Sequence, residues 1–413
     1  MTPEQGIAAT RFCHSLDAEP LQAVIDFFHR LGKATNRIVE TSPSPAEATI
    51  VMSPMLRIIG LIFLFAATAL RGADYPAPSE GDYTLRNFKF TSGEMLPELH
   101  LHYRTLGKPE KDAQGVTRNA VLIMHGTTGS GAQFVPRPEF ADELFGKDQP
   151  LDASKFFIVL PDAIGHGKSS KPSDGMHAKF PRCGYIDMVE AQYRLLTEGL
   201  GVNHARLVMG TSMGGMHTWL WGELHPEFMD ALMPLASLPT QISARNRGWR
   251  RMIIDAIRND PDWHNGDYAA QPPSLRTAAE MLWFMSSNPV LRQKEAPTLA
   301  RTDEVLNKFV DDYMKTGDAN DVLYAVEASH DYDPGPNLEK IRAPLLAINS
   351  ADDLINPPEL GILEREIKRV PKGRAVVIPL SDKTHGHGSH TLAALWKDQL
   401  MSLLKETEQQ NQQ

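Results

Sequence analysis

The residues Arg206-Leu207-Val208-Met209-Gly210-Thr211-Ser212-Met213-Gly214-Gly215 set a serine inside Gly-x-Ser-x-Gly, between an apolar run and a helical pattern. A serine hydroxyl is a weak nucleophile near neutral pH, and it becomes a strong one when an imidazole takes its proton. A tight strand-to-helix turn adds to this by exposing the hydroxyl at a helix N-terminus, where the positive end of the dipole favours a developing oxyanion. Gly210 and Gly214 stand where any side chain would collide with neighbouring backbone in such a turn. The bare pattern would arise by chance in roughly one chain in eight of this length, so its weight rests on the strand before it and the helix after it.

With Ser212 as nucleophile, the chemistry is acyl transfer through an acyl-enzyme, and three further parts are required. The chain order for a serine on such a turn is serine, acid, histidine. The acid should follow a late strand, and Leu345 to Ser350 leads into Ala351-Asp352-Asp353-Leu354-Ile355-Asn356-Pro357-Pro358. Either aspartate can serve, the other capping the turn. The base should follow the last strand, where His385, His387 and His390 compete; His387 lies between Gly386 and Gly388, which give it backbone freedom to reach a cleft. The rival reading of three nearby histidines is a metal site, but the stretch supplies no clear carboxylate or cysteine partners, and no metal or cofactor is expected. The oxyanion should meet the N–H of Met213, next after the nucleophile, and the N–H of Thr127 in His125-Gly126-Thr127-Thr128-Gly129. His125 is read as a structural hydrogen-bonder.

Positioning these groups requires a parallel sheet covered on both faces, and from about Tyr83 to Ser237 short apolar runs do alternate with helical patterns. The strands expected are Ala120 to Met124, Phe156 to Leu160, Arg206 to Met209, Ala231 to Leu235, Leu345 to Asn349 and Ala375 to Leu380. Ile186 to Leu200 reads as a crossover helix, Leu220 to Leu224 as the continuation of the helix after Ser212, and Leu392 to Lys405 as a closing helix. Between Pro239 and Asp333 strand-like runs vanish while Trp, Met, Arg and Pro crowd in, as in a helical cap inserted over the core. The fold class is therefore α/β, a mostly parallel central sheet with helices on both faces, its core at residues 83–238 and 336–405 and its cap at residues 239–335. The tail at residues 406–413 is polar and expected to fray.

A chain of 413 residues with 42% apolar content can bury a large core, and a net charge of -9 without a long basic run argues against nucleic acid as a partner. A small ester or acyl substrate is the expectation instead. Met55-Leu56-Arg57 precedes the uncharged run Ile58 to Leu70 and then small residues, the layout of a secretory signal, too short for an ordinary span of about 20 residues. Residues 55–73 are thus expected to be an export signal, with a membrane anchor at residues 58–70 as the alternative, and residues 1–54 an upstream extension. After cleavage no stable membrane association is expected. Cleavage would also leave Cys183 as the one cysteine, read as a packed small residue.

These residues resemble the homoserine O-acetyltransferase-like family of the α/β-hydrolase fold, over about Tyr83 to Lys405. The matching stretches are His125-Gly126-Thr127-Thr128-Gly129, Asp187-Met188-Val189-Glu190-Ala191-Gln192, Gly210 to Met216, Asp260-Pro261-Asp262-Trp263 with Gly266 and Tyr268, Asp353 ahead of Pro357-Pro358, and Gly386-His387. The resemblance selects Asp353 over Asp352 and His387 over its neighbours, and it implies a ping-pong reaction and a homodimer through the cap. It also makes Arg250, Arg251 and Tyr268 candidates for substrate binding. Two departures bear on substrate. Family members that acetylate homoserine carry an aspartate after the Gly-His pair, where this chain has Gly388, and their arginine ahead of the Asp-Pro-x-Trp motif has no clear counterpart in register, although Arg250 and Arg251 lie nearby. An export signal also sits badly with acetyl-CoA, a cytosolic donor. The expectation is an exported esterase or acyl hydrolase, the alternatives being an acetyl-CoA-dependent homoserine acetyltransferase and a non-catalytic binding protein on the same fold.

Overall fold

The structure is a computed structural model that describes residues 74–411; the expected upstream extension and export signal lie outside the described residues. Eight strands form one sheet in the order β1-β2-β4-β3-β5-β6-β7-β8. They are β1 (Ser79–Lys89), β2 (Met95–Leu106), β3 (Ala120–Met124), β4 (Phe157–Pro161), β5 (Leu207–Thr211), β6 (Leu232–Leu235), β7 (Leu345–Ser350) and β8 (Gly373–Ile378). From β4 onward across the sheet every pairing is parallel, while β1 with β2 and β2 with β4 are antiparallel. The ten α-helices among the described residues are α1 (Pro138–Leu144), α2 (Tyr185–Arg194), α3 (Met213–Leu224), α4 (Ala244–Arg258), α5 (Ser274–Ser286), α6 (Pro289–Glu295), α7 (Leu299–Met314), α8 (Ala319–Glu327), α9 (Ile362–Glu366) and α10 (Lys397–Asn411).

The central strands β3, β5 and β7 are buried along their whole length, so their sequences run apolar without alternation, and side chains of period two still sort to opposite faces. Leu122, Met124, Val208 and Ala347 face one layer with Met188, Trp219 and Trp221 of α2 and α3. Val121, Ile123, Met209 and Ile348 face the other, with Phe140 of α1 and Trp396 and Leu400 at the closing helix. At about 25 cal/mol per Å² of apolar surface, these two layers are the main source of the fold's stability.

The β1–β2 hairpin was not among the expected strands. Its residues carry charge throughout, and β2 buries His102 and Arg104 as well as Leu99 and Leu101, so it shows no apolar run. The closing helix starts later than expected and continues to Asn411, which puts Glu408 to Asn411 on a helix rather than in a frayed tail.

Helices α4 to α8 lie between β6 and β7 and carry a third cluster of their own. In α4 the buried residues Trp249, Arg250, Ile253, Ile254 and Ile257 recur at helical spacing and meet Leu275 and Ala278 of α5 and Val322 and Val326 of α8. This cap is tied to the core loops by Asp321, which accepts hydrogen bonds from the N–H (2.9 Å) and Oγ (2.7 Å) of Ser173, and by Asp331, which accepts the Tyr185 N–H at 2.8 Å. No helix among the described residues is long and apolar enough to cross a membrane.

Candidate active site

Ser212 sits between β5 and α3 at φ 55°, ψ −110°, a backbone conformation that L residues rarely occupy. Strain of this kind costs on the order of 1–3 kcal/mol and persists only where the surroundings enforce it. Here the Ser212 N–H is held by the Leu235 carbonyl at 2.9 Å and the Gly214 N–H by the His125 carbonyl at 2.9 Å. The flanking glycines are sterically required: a Cβ on Gly210 would lie 2.3 Å from the Gly214 carbonyl, and one on Gly214 would lie 2.1 Å from the Met124 carbonyl oxygen. Because both obstacles are backbone, Gly214→Ala is expected to destabilise the protein by about 3 kcal/mol or more, at the upper end of overpacking costs; urea unfolding of purified variant and parent measures it.

The three loops at the C-terminal ends of β5, β7 and β8 converge, the usual place for a site in an open parallel sheet. Ser212 Oγ lies 2.9 Å from His387 Nε2, and His387 Nδ1 lies 2.8 Å from Asp353 Oδ2. A carboxylate only accepts, so Nδ1 carries the hydrogen, and Nε2 of the neutral ring is left to accept from the serine hydroxyl. Burial alone would raise the Asp353 carboxyl, but the His387 imidazole, the Asn356 amide and the Ile355 N–H hold it below its ordinary value. Asp353 is 1% exposed and stays a buried anion.

Asp352 serves a different end. Its oxygens accept from Ser350 Oγ, from the Asn288 amide of the cap and, at 2.9 Å, from the Gly386 N–H. It thereby anchors the turn that carries His387, with Gly386 at φ 59°. Of the other histidines, His385 is exposed, whereas His390 packs edge-on against His387 with ring centroids 5.2 Å apart. Burial, His387 and Arg137 push His390 down to about 3, so it stays neutral and puts no charge beside His387. Among the described residues no group of three or more His, Cys, Asp or Glu is placed to hold a metal.

The loop after β3 abuts Ser212, since a Cβ on Gly126 would lie 3.5 Å from Ser212 Cβ. Thr127 follows it and lines the same cleft, with its carbonyl held by His166 Nε2 at 2.9 Å. Met213 opens α3, where a first-turn N–H has no partner within its own helix. His125 is occupied structurally: Nδ1 lies 2.8 Å from the Gly126 carbonyl and Nε2 accepts the Ala163 N–H at 3.0 Å. Burial keeps its ring well below the ordinary imidazole range, hence uncharged. His166 and its role in fixing Thr127 escaped the sequence reading, because nothing in Ile164-Gly165-His166-Gly167 signals which carbonyl lies above it.

Ser212, His387 and Gly388 open onto a cleft of about 510 Å³ under the cap. Arg250 lines it, although buried. Arg251, one residue on and so turned about 100° around the helix, points to solvent and pairs with Asp255. Tyr268 is likewise outside the cleft, which corrects its candidacy for substrate binding: its hydroxyl donates to Asp318 at 2.8 Å and accepts the Asn320 N–H at 3.0 Å. The Asp-Pro-x-Trp stretch belongs to the same scaffold, with Trp263 Nε1 bonded to Asn320 at 2.8 Å and Asp260 accepting the Ser274 N–H at 2.8 Å. The motif therefore braces the cap. Arg137 and Arg292 also line the cleft and went unnoticed in the sequence, since each sits in a stretch that reads as a solvated charged surface.

Comparison with known proteins places this geometry in context. Residues 119–382 match the family described as the alpha/beta hydrolase fold. A probable acyltransferase of Methanothermobacter thermautotrophicus is 30% identical over 310 residues, which span 74% of this chain and 91% of that protein. A homoserine O-acetyltransferase of Thermobifida fusca is 36% identical over 220 residues, spanning 50% of this chain and 56% of its own. The crystal structure of esterase E22 superposes with a TM-score of 0.69 at 20% identity, covering 79% of this chain and 100% of that one.

Proposed function

Since the chain belongs to the α/β-hydrolase fold family, in its homoserine O-acetyltransferase-like branch, and is an enzyme of the acyltransferase and esterase class, we propose that it hydrolyses esters through a Ser212 acyl-enzyme. The observation that carries this reading is the continuous series Ser212 Oγ, His387 Nε2, His387 Nδ1, Asp353 Oδ2, with separations of 2.9 and 2.8 Å, opening on a cleft. His387 takes the hydroxyl proton as Ser212 attacks the acyl carbon, and Asp353 holds the ring tautomer and stabilises the imidazolium. The N–H groups of Met213 and Thr127 receive the oxyanion. His387 then returns the proton to the leaving alcohol, and water, activated by the same ring, releases the acid.

Water is favoured over homoserine as the acceptor by Gly388, which lines the cleft but offers no carboxylate to an ammonium group. The same proposal takes residues 55–73 as an export signal, tested by sequencing the N-terminus of the mature chain, which should start beyond Met55.

The deciding experiment supplies the purified protein with p-nitrophenyl acetate, and separately with acetyl-CoA and homoserine. A burst of p-nitrophenol followed by steady hydrolysis, with no O-acetylhomoserine formed, is the expected result. Acetyl transfer to homoserine at a rate comparable to hydrolysis would replace this reading with the acetyltransferase.

A further inference from the structure

A second, largely apolar chamber adjoins the Ser212 cleft on the side of the acid loop. It has a volume of about 260 Å³, and its walls include Met216 of α3, Leu238 and Ile242 of the loop after β6, Tyr332, and Leu354 and Leu360 of the loop after β7. Ile355 is the one residue among the described residues that lines both the chamber and the cleft. A hydrogen bond backs this wall, because Asn246 lines the chamber and accepts at 3.1 Å from Nε of Arg250, which lines the cleft. Ile355 is poorly placed to swing aside. Its N–H donates to Asp353 Oδ1 at 2.8 Å, and the adjoining Asn356 donates its N–H to the same oxygen at 3.2 Å and its amide to the Ala236 carbonyl at 2.9 Å. A β-branched side chain on a pinned backbone has few rotamers, so moving it out of the wall would pull on the carboxylate that orients His387.

The chamber lies where an acyl chain has to go. Once Ser212 Oγ has added to the acyl carbon, that carbon carries three other groups: the oxyanion, the oxygen of the leaving alcohol and the acyl chain. The oxyanion turns to the Thr127 N–H, in the loop after β3, which neighbours β5 on the side away from β6. The alcohol oxygen turns to His387, which lines a small cavity with Trp396, in the layer of the closing helix. The acyl chain is left with the β6 and β7 side and the opposite layer, where Met216 and Tyr332 of the chamber pack.

We infer that the chamber is a subsite for an aliphatic acyl chain and that Ile355 keeps it shut, which makes Ile355 the residue that limits the enzyme to short acyl groups. This inference rests on the proposed Ser212 hydrolysis and adds what sets its acyl specificity.

The test is a series of p-nitrophenyl esters from acetate to octanoate, which share a leaving group and differ only in the acyl chain. The parent should favour acetate and butyrate. Ile355→Ala should raise the octanoate-to-acetate ratio of kcat/KM by about tenfold or more, since each methylene that enters an apolar chamber is worth about fourfold and two suffice. Reading the ratio within one variant cancels any loss in the acid loop that is common to all the esters. Adding Leu238→Trp, which fills the chamber from a wall that the cleft does not share, should return the ratio to that of the parent. Should Ile355→Ala fail to fold, Ile355→Val is read in its place, with a smaller rise in the same direction expected. A parent that cleaves octanoate as readily as acetate, an unchanged ratio in the Ile355 variant, or a ratio that Leu238→Trp leaves high overturns the inference. So does a selectivity that Ile355→Ala shifts along a series of alkyl acetates, in the alcohol, instead of in the acyl chain. If no ester is cleaved, or Ser212→Ala cleaves as well as the parent, the hydrolase reading fails; if cleavage requires Ser212 yet the ratio ignores Ile355, only the present inference does.

Discussion

Ser212→Ala should lower kcat/KM for p-nitrophenyl acetate by about 10⁴-fold or more and remove the burst of p-nitrophenol, while leaving the protein folded. The loss is that large because, among the described residues, no other hydroxyl is hydrogen-bonded to the His387 ring, and the described cysteine, Cys183, is buried, its thiol pushed well above its ordinary value by burial, with Asp187 and Asp331 adding to the effect. Folding should survive, since among the described residues Ser212 Oγ bonds only to His387, and its strained backbone is imposed by Leu235 and the flanking glycines. Thermal unfolding should shift by a few degrees at most, and a small gain would be in keeping with relief at a strained functional residue. Activity within about tenfold of the parent would remove Ser212 from the chemistry, and a fluorophosphonate probe that labels the parent at another residue would say where to look instead.

The second large effect separates two adjacent carboxylates. Asp353→Asn should cost about 10⁴-fold in kcat, the size seen when the orienting acid of a serine triad becomes an amide. An amide donor opposite Nδ1 favours the tautomer with hydrogen on Nε2, and the serine hydroxyl then has no lone pair to which it can give its proton. Asp353 also accepts the Ile355 and Asn356 N–H groups, so some loosening of the acid loop should accompany the loss. Asp352→Asn should cost much less in kcat and show itself in stability, because Asp352 accepts from Ser350, Asn288 and Gly386 and does not touch the ring. Parallel kcat values and urea midpoints for the two variants decide the matter; equal losses in kcat would mean that the two aspartates share the role.

Much of this site could be read along the chain because its parts are local. The turn at Ser212 needs Gly210 and Gly214 within a few residues of the serine, so the pattern and the steric need coincide in one short stretch. The strands at Ala120–Met124 and Leu345–Ser350 are buried on both faces and therefore appear as short apolar runs. The β1–β2 hairpin stayed hidden because its burial depends on partners far away: Arg104 meets Asp162 at 3.0 Å across 58 residues. The cap motif misled in the opposite direction. Tyr268 is a polar-tipped aromatic of the kind that binds substrates, yet here its hydroxyl is used on Asp318 and Asn320 of the same cap.

By itself the sequence determined the type of chemistry and the scaffold for it: a serine on a forced turn, an acid and a base later in the chain, and the apolar runs of a parallel sheet. Each of these is a matter of residue type within a short window, where sterics and periodicity act directly. Asp353 and His387 were singled out through the family resemblance, but the tertiary structure is what brings them, 34 residues apart, within 2.8 Å, gives Asp352 other partners and turns one of two consecutive arginines toward the cleft. Those choices are set by how β7, β8 and α4 pack, and a packing direction is a property of the assembled layers that no single stretch of chain contains.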